Sequence, residues 1–264
     1  MIDIGVNLSN SRFAGDTADT LQRAREAGVS RMVLTGTSVE ESRAVLALCR
    51  EYRADFPGML YATAGIHPHD AKTLKSESIA ALRELATAPE VVALGEMGLD
   101  FNRNFSTPHE QERAFEAQLE LAVELQLPLF LHERDAFDRQ LQIVASYRDH
   151  LAGAVTHCFT GSKKSLYGYL DLDMYIGITG WICDQKRGEA LQGLVNNIPL
   201  DRLLVETDAP YLLPKNMSEP PKGKRNEPGF LPWVIEAIAE HRPETVEQIT
   251  RATTDNALRF FSLD

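Results

Sequence analysis

Short apolar runs alternate along this chain with longer charged segments whose apolar residues recur at helical spacing. The runs begin at Ile2-Asp3-Ile4-Gly5, Met32-Val33-Leu34, Leu60-Tyr61-Ala62-Thr63, Val91-Val92-Ala93-Leu94, Leu129-Phe130-Leu131, Ala154-Val155-Thr156, Met174-Tyr175-Ile176-Gly177 and Leu203-Leu204-Val205. A repeated strand-then-helix alternation predicts an α/β chain with a parallel sheet. Eight such runs predict closure into a (β/α)8 TIM barrel. A doubly wound open sheet is the competing architecture, but it needs a topological switch point and usually has fewer strands.

Helices are predicted over Asp16 to Ala27, Val39 to Tyr52, Ser76 to Thr87, Pro108 to Gln126, Asp135 to Tyr147, Lys163 to Leu170 and Gly188 to Asn196. Two more, near Leu231 to Glu240 and Glu244 to Phe261, complete an outer ring. Ser106-Thr107-Pro108 ahead of a Glu-rich turn is a helix start, and Gly28 is a helix stop. The stretch from Pro214 to Arg225 breaks the pattern with prolines, glycine and mostly basic charges, and reads as a long functional loop.

Length and composition fit one domain over residues 1–264: a barrel of about 250 residues consumes the chain, and 44% hydrophobic residues supply its core. Cys49, Cys158 and Cys183 form neither a disulfide framework nor a cysteine-rich zinc site. With no basic-then-apolar leader after Met1 and no apolar stretch of membrane-spanning length, the chain is expected in the cytoplasm, as a monomer without membrane contact. The formal charge of −11 excludes a broad basic surface as the source of any nucleic-acid affinity, so phosphate binding must be local.

Metal-binding and acid–base side chains gather where the apolar runs end: Glu96 after the fourth, His132 after the fifth, His157 after the sixth and Asp208 after the eighth, with His67 and His69 beyond the third. In a barrel these ends share one mouth, the face that carries active sites. Strand parity turns His132 inward with Phe130, His157 with Val155, and Glu206 and Asp208 with Leu204. Two carboxylates and two imidazoles in one cavity call for a cation, so Glu96, His132, His157 and Asp208 are the expected ligands of a divalent metal. A lone strand-end histidine is more often structural; four coincident strand ends reverse that reading. Glu206, one layer deeper, is either structural or an orienting partner of a ligand histidine. Asp3 is either a support residue of the same kind or a buried cap on a neighbouring turn.

The motifs Asp3-Ile4-Gly5-Val6-Asn7-Leu8, Gly65-Ile66-His67-Pro68-His69, Gly95-Glu96-Met97-Gly98-Leu99-Asp100, Leu131-His132, Thr156-His157-Cys158-Phe159-Thr160-Gly161 and Glu206-Thr207-Asp208-Ala209-Pro210-Tyr211-Leu212 resemble, in this order, the TatD family of metal-dependent deoxyribonucleases. The resemblance covers essentially the whole chain and implies a TIM barrel of the metal-dependent hydrolase (amidohydrolase-like) type. The stretch Gly98 to Ser106 and Arg225-Asn226-Glu227-Pro228 are most similar to the bacterial exonucleases of that family. The resemblance implies a Mg²⁺-dependent 3′ to 5′ exonuclease acting on the 3′ ends of single-stranded DNA and RNA, with repair of oxidised DNA among its expected roles. One departure stands out: many members carry a His-x-His pair on the first strand, where this chain has Gly5 and Asn7. One firmly held ion is therefore expected, with a second held only weakly.

On this reading Asp208 is the expected general base, Glu96 joins it in catalysis, and His67 or His69 stabilises charge on phosphate or protonates the leaving oxygen. Two imidazoles favour Mn²⁺ or Zn²⁺ by softness, whereas the resemblance implies Mg²⁺. Arg103, Lys222, Lys224 and Arg225 are expected at phosphates, Asn7 at the substrate, and Phe101, Phe105, Trp181 and Tyr211 at the bases. Ordinary packing is the competing reading for each aromatic, and a solvated surface for the basic loop. Two other functions remain open here: an amidohydrolase acting on a cyclic amide or nucleobase, and a catalytically decayed nucleic-acid-binding barrel.

Overall fold

The computed structural model describes residues 1–263. Strands β1 Ile2–Val6, β2 Arg31–Leu34, β3 Leu60–Ala64, β4 Val91–Asp100, β5 Leu129–Arg134, β6 Ala154–Thr156, β7 Tyr175–Ile178 and β8 Leu203–Val205 pair in sequence order, every ladder parallel. A bridge from Val6 to Ala209 brings the sheet round on itself. Around that seam the Asn7 N–H donates to Ala209 O at 2.8 Å and the Asp208 N–H to Gly5 O at 2.9 Å.

Helices α1 Thr17–Glu26, α2 Val39–Glu51, α3 Ser76–Leu85, α4 Pro108–Leu125, α5 Phe137–Tyr147, α6 Lys163–Asp171, α7 Glu189–Leu194, α8 Leu231–Ala239 and α9 Val246–Phe260 follow their strands. Their ends have local causes. Thr107 and Glu110 cap α4 reciprocally, with Pro108 in its first turn, and Gly28 takes φ +88° just past α1. The apolar faces sort into two layers. Ile4, Val33, Val92, Phe130, Val155 and Leu204 fill the barrel's interior, closed by Phe260 and Phe261 at the end of α9. A larger layer lies between sheet and helices.

Two strands run further than the apolar runs indicate. The fourth continues to Asp100 and the fifth to Arg134, so Glu96 and His132 lie within strands and not after them. No described helix is long and apolar enough to cross a membrane.

Candidate active site

Glu96 reaches the cavity because alternation fails next to it. Leu94 packs in the layer between sheet and helices, and the β4–β5 register shifts between Leu94 and Met97. Gly95 and Gly98 make this possible. They have φ of +130° and +137°, and a Cβ at either would stand 2.1 Å from Phe130 O or 2.0 Å from His132 O. Only glycine admits that backbone conformation at such close approach.

Three imidazoles converge on one oxygen of that carboxylate. His157 Nε2 lies 2.8 Å from Glu96 Oε1, His132 Nδ1 2.9 Å and His67 Nε2 3.2 Å. His67 Nδ1 accepts the backbone N–H of His69 at 3.1 Å, so the proton of a neutral His67 sits on Nε2 and is donated to Glu96. Phe130 from the barrel interior stacks on His157 at 4.7 Å between ring centres. Below, Glu206 is fully buried, with Oε2 3.4 Å from His157 Nδ1, while its Oε1 accepts the Cys158 N–H. Gly5 makes room for it: a Cβ there would stand 2.3 Å from Glu206 Oε2. The space a side chain at position 5 would take is therefore filled by the carboxylate of Glu206, just past β8.

Asp208 sits just past β8 in a left-handed conformation, φ +53°. Asn7 donates to its Oδ1 at 2.9 Å; the expected substrate contact is thus engaged in holding a carboxylate. Asp3 is the buried cap: its oxygens accept the Thr207 N–H at 2.9 Å, the Thr207 hydroxyl at 2.5 Å and the Gly5 N–H at 3.3 Å.

Electrostatics follow from this packing. Burial opposes ionisation of Glu96, but His157 and His67 together with the His132 bond hold it well below the usual carboxylate range. Burial, aided by Glu96 and Glu206 and opposed by His157, raises Asp208 to about 7. Burial depresses His67. His157 lies well above the ordinary imidazole value because Glu96 and Glu206 outweigh its burial.

The donor set fits a divalent metal. Ligand atoms of His67, Glu96 and His132 lie within 4.8 Å of one another, and His157 Nε2 contacts the same Glu96 oxygen. The far nitrogens of two imidazoles, buried without a close hydrogen bond, face carboxylates: His157 Nδ1 lies 3.4 Å from Glu206 Oε2 and His132 Nε2 3.6 Å from Asp100 Oδ2, the arrangement that orients a metal-ligating imidazole.

One residue escaped the sequence reading. Asp100, buried at the end of β4, lies 2.7 Å from His69 Nε2 through Oδ2 and accepts the Asn102 and Arg103 N–H groups at 3.0 and 2.8 Å through Oδ1. Despite its burial, bonds from His132, Arg103 and His69 hold its carboxyl below the ordinary aspartate range. The signal was available: Glu96, Gly98 and Asp100 share strand parity.

A cavity of about 1420 Å³ opens over these groups, with Arg103, Phe101, Trp181 and Tyr211 on its walls. Lys222, Lys224 and Arg225 lie outside that lining. Arg225 is committed instead to Asp16 and to Glu227, the latter at 2.6 Å, and Lys224 offers its carbonyl to Arg12 at 3.2 Å.

A barrel with buried histidines and carboxylates converging at the C-terminal strand ends is the architecture of metal-dependent hydrolases. Residues 2–262 match the model of the family described as TatD related DNase. The chain is 50% identical over 263 residues to the 3′-5′ ssDNA/RNA exonuclease TatD of Salmonella typhimurium, covering 100% of this chain and 99% of that protein. It is 51% identical over 261 residues to the protein of the same name from Cronobacter sakazakii, covering 99% and 97%. Among solved structures, YJJV, a TatD homolog from Escherichia coli K12, superposes with TM-score 0.89 at 29% identity, covering 100% of this chain and 98% of that one. The chain belongs to the TatD related DNase family, and it is a metal-dependent nuclease.

Proposed function

We propose that this chain is a 3′–5′ exonuclease on single-stranded DNA and RNA that works as a monomer with one firmly bound Mg²⁺, for which Mn²⁺ can substitute. The observation that carries the reading is the convergence of His67, His132 and His157 on Glu96 Oε1 in a cavity that Asp208 also lines. Relatives half identical over their whole length are exonucleases of this polarity and substrate class. Glu96, His132, His157 and Asp208 would hold the ion, with His67 close enough to Glu96 and His132 to join them. Bound there, a divalent cation supplies Lewis-acid polarisation of a phosphate oxygen and makes water acidic enough to attack near neutral pH.

The remaining steps belong to side chains. Asp208, with Oδ1 steadied by Asn7, takes the proton of the attacking water on its other oxygen. His69, oriented by Asp100, gives a proton to the leaving oxygen. His67 keeps the Glu96 carboxylate ionised and aligned. Glu206 fixes His157 from beneath. Arg103 meets phosphate, and Tyr211, Phe105 and the face of Trp181 that Arg187 leaves uncovered offer surfaces on which any base can stack.

Digestion of 3′-labelled and 5′-labelled single strands with Mg²⁺, Mn²⁺, Zn²⁺ or chelator tests the proposal. Stepwise shortening of the 5′-labelled strand, immediate release of the 3′ label, and no cleavage with chelator are expected. A 5′-first ladder, or undiminished cleavage in chelator, would overturn it.

A further inference from the structure

The turn that carries Asp208 is closed by the Tyr211 N–H to Asp208 O bond at 3.0 Å and is otherwise held from outside. Asp208 and Leu212 at its two ends both have φ +53°, a left-handed conformation that leucine adopts only where its surroundings impose it. β1 and Arg12 hold part of the turn, through Asp208 N–H to Gly5 O at 2.9 Å and Arg12 to Pro210 O at 2.8 Å; the link between its two ends comes from just past the 214–225 loop. Asn226 is fully buried, and its amide nitrogen donates to the carbonyls on either side of Asp208, Thr207 O at 2.9 Å and Tyr211 O at 2.6 Å. Its backbone N–H reaches Pro210 O at 3.2 Å, and its side-chain oxygen accepts the Glu227 N–H at 2.9 Å. Both side-chain N–H bonds are therefore spent on one turn.

Asn226 is itself anchored. Its neighbours Arg225 and Glu227 form ion pairs with Asp16 and Arg23, which lie at the start of α1 and within it. Arg225-Asn226-Glu227 thus acts as a staple with a buried centre and not as a phosphate contact.

The two carbonyls it joins lead to different chemistry. Beside Thr207 is Asp208, facing the metal-ligating cluster. Tyr211 has its ring 50% exposed on the cavity wall, steadied by Asn10, whose amide donates to the hydroxyl at 3.1 Å. Only Phe105 is more exposed among the large hydrophobic side chains described. A rigidly held, uncovered aromatic beside a nuclease centre has the form of a base-stacking platform.

We propose that Asn226 is a positioning residue: through the two N–H bonds of one amide it sets the spacing between Asp208, which accepts the proton, and Tyr211, which stacks on the base next to the cleaved bond. This rests on the exonuclease reading above. Losing the amide should affect turnover through Asp208 and substrate affinity through Tyr211 together, whereas a merely structural residue would only lower the fraction of folded protein.

The test compares Asn226→Asp, which turns the donors into an acceptor, Asn226→Ser, which keeps one donor, and the surface change Tyr211→Ala. Each is assayed with Mg²⁺ on a single-stranded oligonucleotide and on the same strand with abasic residues at its last two positions. Melting temperature and Mn²⁺ affinity by EPR are measured alongside. Tyr211→Ala is expected to raise KM about tenfold on the normal strand and less than about twofold on the abasic one. Asn226→Asp is expected to raise KM comparably and to lower kcat by about tenfold or more, with Mn²⁺ affinity falling alongside kcat because Asp208 also holds the ion, and Asn226→Ser to recover part of each. In the Asn226→Asp background, Tyr211→Ala should change KM little.

Equal losses for Tyr211→Ala on the two strands, or folded Asn226 variants with native kcat and KM, overturn the proposal. Should the Asn226 variants not fold, Glu227→Gln loosens the anchoring ion pairs while leaving the amide in place. It is expected to lower kcat and raise KM together, and unchanged kinetics overturn the proposal equally. Failure of the wild type to digest either labelled strand removes the exonuclease reading itself, whereas normal wild-type digestion without these effects removes only the positioning role.

Discussion

Asp3 is a buried acid whose contribution to stability depends on pH. Burial raises it from 3.8 to about 8 despite three hydrogen bonds. Between those values the folded state holds a proton that the unfolded state has released, so this group's contribution is full below 3.8 and is lost as pH rises through about 8. The loss is at most ~1.4 kcal/mol per pH unit. In Asp3→Asn the slope disappears, while the amide can still accept the two N–H groups and donate to Thr207. Urea melts of both proteins at several values between pH 5 and 8 should show the wild type losing ground to the variant as pH rises; a pH-independent difference would refute the assignment. At the site itself, His132→Ala and Asp208→Ala are each expected to reduce nuclease turnover by at least about 10²-fold with unchanged far-ultraviolet circular dichroism. Retained turnover in highly purified protein would reject those roles. Parity alone pointed His132, His157 and Asp208 inward. It was blind to Asn7, whose engagement with Asp208 depends on the meeting of β1 and β8, a contact between residues 201 positions apart.

At the scale of elements, the alternation of apolar runs and amphipathic segments located all eight strands, because each strand of a parallel barrel is buried on both faces and reads as a continuous apolar run. Helix ends were legible where side chains cap them, as at Thr107 and Glu110. The end of β4 was not, because Gly95, Glu96 and Gly98 look like punctuation in a one-dimensional reading and are in fact a strand pressed against its neighbour. Gly95→Ala tests that account. With φ +130° and a Cβ 2.1 Å from Phe130 O, the variant should lose on the order of 2–6 kcal/mol from backbone strain and overpacking. Gly193→Ala is the control: it lies in α7 with nothing within 4 Å of the added carbon, and should gain up to about 1 kcal/mol. Thermal or denaturant melts distinguish the two, and equal stability of both variants would remove the close-approach argument for Glu96.

For the whole molecule, net charge and cavity charge point the same way. A chain of formal charge −11 repels a phosphate backbone, and the cavity walls carry Glu41, Glu133 and Asp135 besides the catalytic acids. Of the three arginines on those walls, Arg139 is paired with Glu112 at 2.6 Å, which leaves Arg103 and Arg134 for phosphate. The basic 222–225 segment was legible as charge, but its direction was not, because Arg225 turns toward Asp16 and Glu227. These placements predict a weak salt dependence. With two phosphates neutralised, the log–log slope of affinity against salt is about −1.4, roughly a sevenfold loss between 50 and 200 mM. If Lys222 and Lys224 also engaged the strand, the slope would be about −2.8 and the loss about fiftyfold. Fluorescence anisotropy of a labelled single strand on the Asp208→Ala variant, at fixed Mg²⁺ and varied KCl, separates the two. The shallow slope is expected, since on this account affinity comes from a metal, two arginines and stacked rings inside one acidic barrel mouth; the steep one would return the basic loop to the substrate path.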